Sequence, residues 1–169
     1  MDESNPVEAR VGAKLESRGE TLATVESCTG GLLGSLVTDV PGASAYFDRG
    51  FVTYANEAKL ALGVTRESLD EHGAVSEPVA REMAQAARDA AGTTWAISTT
   101  GIAGPTGGTP SKPVGTVYVG VAYAGEWGSG STRTTVTRRE YEGTRTEIKS
   151  QVARGGLDRL ETAMAETDQ

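Results

Sequence analysis

The sequence predicts an α/β fold: a single three-layer α/β/α domain over residues 1–169, with a mixed sheet covered by helices. Three observations lead there. Apolar residues recur at helical spacing at Val7, Val11 and Leu15, and again at Val79, Met83 and Ala87. Short β-branched runs alternate with these helical segments, as in parallel strands joined by crossovers. Two alternating runs, Thr116–Tyr123 and Ser131–Thr137, then follow each other directly, as in a hairpin.

Taken in order, the first helix carries Val7, Val11 and Leu15, and an extended apolar strand runs from Thr21 to Val25. The chain then passes Ser27 and the pair Gly30-Gly31 into an amphipathic helix. A strand from Phe51 to Tyr54 follows, with Asn56 expected to cap a short helix that carries Lys59. Pro78 suits the first turn of the helix that carries Val79 and Met83. Trp95–Thr99 is the next strand, with Trp95 in the core, and a glycine-rich segment connects it to Thr116. Trp127, in Gly125-Glu126-Trp127-Gly128, is expected to anchor its loop. Ile148, Val152, Leu160 and Met164 mark a closing helix, with Gly155 and Gly156 as its weak point. In sheets of this kind ligands gather at the carboxyl ends of strands. Ser27, Tyr54 and the run Thr100–Gly104 all follow strands, so one pocket can collect them.

Composition narrows the classes of partner. The length suits one compact domain with an ordinary core. A net charge of -7 argues against nucleic acid, which needs clustered Lys and Arg. The basic residues of the last third are interspersed with acids, as on a solvated face. Apolar runs are short and the first residues are polar and acidic, so neither a membrane span nor a signal peptide is expected. A single cysteine, Cys28, forms no internal disulfide and fits a reducing cytoplasm. One Cys and one His do not make an ordinary zinc site, so no metal and no cofactor are expected. Four lysines beside 23 acids is a balance that high-salt adaptation produces, which predicts loss of folded structure when salt is removed.

The chemistry-bearing residues fall into three groups. Ser27 sits at a strand-to-helix turn, where the residues Cys28, Thr29, Gly30 and Gly31 offer amides suited to an oxyanion. A helix cap is the alternative role for Ser27. A serine nucleophile needs a base, and the one histidine, His72, has no evident acidic orienter. A neutral lysine is the known substitute, which points to Lys59, unless that residue is a solvated helix lysine. A free lysine is neutral in only about one molecule in two or three thousand at pH 7, so burial must lower its pKa. Tyr54 is a proton relay or a packed strand end, and Cys28 is a small turn residue or, as the sharper alternative, a thiol nucleophile. The third group is the glycine loop, Thr100, Gly101, Ile102, Ala103, Gly104, Gly107 and Gly108, whose backbone can approach a ligand closely or simply form a surface connection. Its spacing fits neither a P-loop nor a dinucleotide fingerprint.

Six runs in order resemble the CinA C-terminal domain family, the nicotinamide-nucleotide amidohydrolases. They are Glu26-Ser27-Cys28-Thr29-Gly30-Gly31, Pro41-Gly42-Ala43-Ser44, Arg49–Lys59, Gly73-Ala74-Val75-Ser76-Glu77, Thr100–Pro105 and Lys112–Val117. The resemblance spans about Val7 to Leu160. It implies hydrolysis of the carboxamide of nicotinamide mononucleotide to nicotinate mononucleotide and ammonia, with Ser27 as nucleophile, Lys59 as base and Tyr54 assisting. It further implies a small-molecule pyridine nucleotide as the partner and a homo-oligomer. Gly107 and Gly108 are expected at the ribose phosphate, with Arg145 as the competing phosphate residue. The family's Gly-Asp-Arg near the C-terminus reads Gly143-Thr144-Arg145 here, with Lys149 one turn later in place of a second arginine. Many relatives carry a large preceding domain, and this chain is expected to be the stand-alone form.

Overall fold

The computed structural model describes residues 5–168; the acidic start at Asp2 and Glu3 lies outside the described residues. Its elements are α1 (Val7–Arg18), β1 (Leu22–Glu26), α2 (Leu32–Thr38), β2 (Phe47–Val52), α3 (Asn56–Leu62), α4 (Arg66–His72), α5 (Glu77–Ala91), β3 (Trp95–Gly101), β4 (Thr116–Tyr123), β5 (Arg133–Glu140) and α6 (Arg145–Glu166). The fold is α/β, as expected. The five strands run in the order β2-β1-β3-β4-β5. β1 is parallel to both β2 and β3, and β3, β4 and β5 are successively antiparallel, so the sheet is mixed.

Two apolar layers sandwich this sheet. Val11, Leu15, Leu33, Ile148, Leu157 and Leu160 from α1, α2 and α6 close over Trp95, Ile97, Val117 and Val119. On the other face Val79, Met83 and Ala87 of α5 close over Ala23, Val25 and Ala96. β1 is buried along its whole length, which is why it reads as a continuous apolar run rather than an alternating one. Across the helical layer, Arg10 and Lys14 of α1 meet Glu161 of α6 at 2.7 and 2.9 Å. Hydrogen bonds from Arg10 and Lys14 hold the Glu161 carboxyl down at about 2.

Four expectations change. β2 starts at Phe47 and stops at Val52, so Tyr54 lies beyond the strand on the way into α3. The sequence reading has no α4, whose start is fixed by the Thr65 hydroxyl accepting from the Ser68 amide at 3.2 Å. Gly155 and Gly156 do not weaken α6, which is continuous through both. A Cβ at Gly156 would sit 3.2 Å from Ile97, and one at Gly155 would collide with the Tyr141 hydroxyl, so the two glycines let α6 lie close on its neighbours. Trp127 anchors nothing and is fully exposed.

What positions the site is the register. Leu22 pairs with Trp95 and Glu26 with Thr99, while Glu26 also faces Val52. β1 and β2 therefore end level, and β3 runs on two residues further, to Gly101. The ladder extends one step further, through Ser27 N–H to Thr99 C=O at 2.9 Å and Thr53 N–H to Glu26 C=O at 2.8 Å. The segments that follow β1, β2 and β3 all contribute residues to one pocket.

Candidate active site

Ser27 is the first residue past β1, and it does not cap a helix. α2 begins five residues later, at Leu32, with Gly31 in the capping position at φ 105°. The residue that serves the helix start is Glu26, 1% exposed. Its Oε1 accepts from the Thr29 hydroxyl at 2.6 Å and from the amides of Gly31 and Leu33 at 3.1 and 2.8 Å; its Oε2 accepts from the Gly34 amide at 3.0 Å. A buried carboxylate is tolerable when its lone pairs are filled in this way, and the partial positive charge of the helix start favours it further. Thr29 also meets the Thr99 hydroxyl at 2.8 Å, which ties the turn to β3.

This arrangement corrects the expected oxyanion donors. The amides of Gly30 and Gly31 are committed, to the Ser27 carbonyl and to Glu26. Thr29, Gly30 and Gly31 do not line the pocket; Thr29 is buried against Glu26. The Cys28 and Thr29 amides are given to no carbonyl or carboxylate among the described residues. Sequence reasoning passed over Glu26, although an acidic residue immediately before a Ser-x-x-Gly-Gly turn is a signal that the turn's own amides have an internal acceptor.

Lys59 is a buried residue, 1% exposed, on a short helix whose start Asn56 does not cap; the capping position is Ala55. Its Nζ donates to the Thr53 carbonyl at 2.7 Å and the Tyr54 carbonyl at 3.3 Å, and lies 3.0 Å from Ser27 Oγ. Burial lowers its pKa from the ordinary lysine value, because an ammonium loses its hydration there. Two carbonyls holding two N–H groups leave the remaining valence of a neutral amine directed along Ser27 Oγ. The solvated-lysine alternative is thereby removed.

Tyr54 is 60% exposed and touches Lys59 only through its backbone carbonyl. Its phenol oxygen accepts from Arg145 Nη2 at 2.9 Å, while Arg145 Nη1 donates to the Gly104 carbonyl at 2.6 Å. Arg145 opens α6 behind a capping box formed by Thr144 and Glu147, which fixes where the guanidinium starts. Burial pushes the Cys28 thiol up to about 12, so a thiolate nucleophile is disfavoured despite its position beside Ser27. His72 ends α4 and does not line the pocket.

The pocket encloses about 260 Å³. Ser27, Cys28, Tyr54 and Lys59 line it together with Thr100, Gly101, Ile102, Ala103, Gly104 and Gly107 of the glycine loop, and with Arg145 of α6. Gly108 is turned away; a Cβ there would stand 2.7 Å from the Val114 nitrogen. The Thr100 hydroxyl donates to the Ala74 carbonyl at 2.7 Å, fastening β3 to the segment before α5. Asn56, Ala74, Val75 and Thr106 line the pocket as well and were not named as site residues from the sequence. No cluster of three or more His, Cys, Asp or Glu able to hold a metal occurs among the described residues, and no helix among them is long and apolar enough to cross a membrane.

The family model described as CinA C-terminal domain matches residues 4–164. The nicotinamide-nucleotide amidohydrolase PncC of Escherichia coli K12 is 49% identical over 153 residues, covering 89% of this chain and 88% of that protein. A CinA-like protein of Anaeromyxobacter sp. (strain Fw109-5) is 55% identical over 157 residues, and this chain spans only 37% of its length. Among solved structures, the competence damage-inducible protein A of Klebsiella pneumoniae subsp. pneumoniae MGH 78578 superposes with a TM-score of 0.88 at 34% identity, over 95% of this chain and 98% of that one. The chain belongs to the CinA C-terminal domain family.

Proposed function

We propose that the protein hydrolyses the carboxamide of nicotinamide mononucleotide, giving nicotinate mononucleotide and ammonia through a serine acyl-enzyme. The observation that carries this reading is the buried Lys59 Nζ at 3.0 Å from Ser27 Oγ, with both residues lining a pocket that has open amides. A relative that shares 49% identity and bears the nicotinamide-nucleotide amidohydrolase name supports the choice of substrate.

In this mechanism neutral Lys59 accepts the Ser27 proton as Oγ bonds to the carboxamide carbon. The tetrahedral oxyanion is met by the Cys28 amide, at the one turn residue after Ser27 that lines the pocket, a type of contact whose loss costs about 3 to 4 kcal/mol of barrier. Lys59 then returns its proton to the departing nitrogen, so ammonia leaves and the acyl-serine remains. Water, losing its proton to Lys59, adds to the ester; the bond to Ser27 Oγ breaks, Lys59 returns the proton to that oxygen, and the acid is released. Arg145 is the phosphate partner in this scheme, with Gly107 beside the ribose; Gly108 has no part in it because it faces Val114. Tyr54 acts by orienting Arg145 rather than by relaying a proton, because its phenol meets the guanidinium and not Lys59. The reading extends to a role in pyridine nucleotide salvage, a cytoplasmic setting and a homo-oligomeric assembly.

The test is direct. Purified protein incubated with nicotinamide mononucleotide at low and molar salt releases ammonia and acid, and Ser27→Ala and Lys59→Ala each lower that release by about 10³ or more. A folded wild type that binds the nucleotide but releases nothing at either salt would indicate a silent binding module. Covalent labelling of Ser27 by an acyl probe without nucleotide turnover would indicate another acyl substrate. The pH profile tests Lys59 separately. Its folded pKa lies below the ordinary 10.5, and the neutral form is the base, so kcat rises with pH to a plateau whose midpoint is below 10.5. A midpoint at the ordinary lysine value contradicts a buried base.

A further inference from the structure

A second cavity, of about 230 Å³, opens between β5 and α6 and shares no residue with the Ser27 pocket. Arg139, Tyr141, Gly155, Asp158, Arg159 and Thr162 line it above Val119 of the sheet. The alternation of β5 explains the approach of Arg139: it pairs with Val117, whose side chain packs on the α6 side. Gly155 makes the space, since any side chain there would meet the Tyr141 hydroxyl.

The two arginines of this cavity, like Arg66 and Arg133 elsewhere, have no carboxylate partner among the described residues. Acids outnumber bases by 23 to 16, and most arginines, Arg18, Arg81 and Arg138 among them, have found a carboxylate. Arg145 in the Ser27 pocket has none among the described residues, and neither do Arg139 and Arg159. Arg139 reaches only the Arg138 carbonyl, at 3.4 Å, and Arg159 makes no hydrogen bond or ion pair among the described residues. Asp158 lines the same cavity, with its carboxylate 3.8 Å from Arg10 on the far side. The Thr162 hydroxyl is spent on the Asp158 carbonyl at 2.9 Å. The donors left are two guanidinium groups and one phenol, and the space is smaller than a drug-sized site.

We propose that this cavity is a second anion site, taking the tetrahedral oxyanion of inorganic phosphate or of a small phosphomonoester. Guanidinium groups match such oxygens in pairs, and charge-assisted hydrogen bonds of this kind are the stronger ones. The site is independent of the reaction at Ser27, so its test reads binding and not turnover.

Isothermal titration with phosphate and with ribose 5-phosphate, at the lowest salt that retains the folded circular dichroism spectrum, decides it. Arg145→Ala, which removes the guanidinium of the Ser27 pocket, keeps the site. Arg159→Ala weakens it by about ten-fold or more, and Arg139→Ala with Arg159→Ala abolishes it. Arg159→Lys keeps the charge without the fork and falls between, while Asp158→Asn tightens binding by removing the one like charge. Equal affinity for the two ligands assigns the site to the free anion, and tighter ribose 5-phosphate assigns it to the ester. The proposal is overturned if wild-type protein binds neither ligand, if Arg145→Ala removes all binding, or if the folded double variant binds as wild type does.

Discussion

Two glycine-rich loops leave the carboxyl ends of adjacent parallel strands; the first, Cys28 and Thr29 apart, gives its backbone amides to internal acceptors, and the second leaves most of its amides open. After β1, the amides of Ser27, Gly30, Gly31, Leu32, Leu33 and Gly34 all have partners within the turn, Glu26 or Thr99. After β3, the amides of Ala103, Gly104, Thr106 and Gly107 have no acceptor among the described residues, and all four residues line the pocket. Glycine in the first loop lets the chain fold back on its own buried carboxylate. In the second it keeps backbone open to a ligand. Glycine content alone says that something approaches the backbone; an acidic residue at the start of the loop says that the something is internal.

The largest test of this difference is Glu26→Ala. It strands three amides, at about 1 to 3 kcal/mol for each group left without water, and leaves the Thr29 hydroxyl with Thr99 alone, so a loss of about 4 kcal/mol is expected after local relaxation. Urea unfolding measures it. Glu26→Gln retains an acceptor oxygen and loses about half as much. A Glu26→Ala midpoint equal to wild type would mean that the turn holds itself without the carboxylate, and the contrast between the loops would collapse.

Next in size is Gly104→Ala, in the open loop. Gly104 has φ 76°, and a Cβ there would run into Val114. Left-handed strain of about 1 to 2 kcal/mol adds to overpacking of similar size, for about 3 kcal/mol in total. Because the Gly104 carbonyl also holds Arg145, the substitution is expected to raise KM more than it lowers kcat. An unchanged KM would separate Arg145 from substrate binding.

Much of the molecule was legible before any coordinates. Strong periodicity fixed α1, α5 and the β4–β5 pair, and the parallel core strands showed themselves as short apolar runs. The Ser27–Lys59 pairing was reachable because His72 has no evident acidic orienter and the family resemblance implies Lys59 as the base; the pattern alone left a solvated helix lysine open. What was not legible depended on contacts distant in sequence. Asn56 looked like a cap, yet Ala55 takes that position and Asn56 lines the pocket. Tyr54 looked like a partner of Lys59, but Arg145, 91 positions later, holds its phenol. Gly155 and Gly156 read as helix breakers because propensity counts a glycine against a helix. Packing on Tyr141 and Ile97 reverses that sign, and neither neighbour is local. α4 escaped because seven residues with a single buried apolar residue, Leu69, give no periodicity to count.

The smallest effect separates the two roles of glycine within the open loop itself. Gly107 has φ 94°, like Gly104 well inside the left-handed region, but the nearest atom to an added Cβ is Ile102 Cγ2 at 3.6 Å, an ordinary contact. Gly107→Ala therefore carries backbone strain without a collision, and a loss of about 1 kcal/mol is expected in urea unfolding. Its Cβ projects from a residue that lines the pocket, so substrate affinity and stability give distinct readings. If the open amides serve a ligand, KM rises several-fold while the stability change stays near this value. If KM is unmoved and only stability falls, Gly107 shapes the loop and the ligand rests on Ala103 and Gly104 instead, which narrows the cradle to the two residues nearest Arg145.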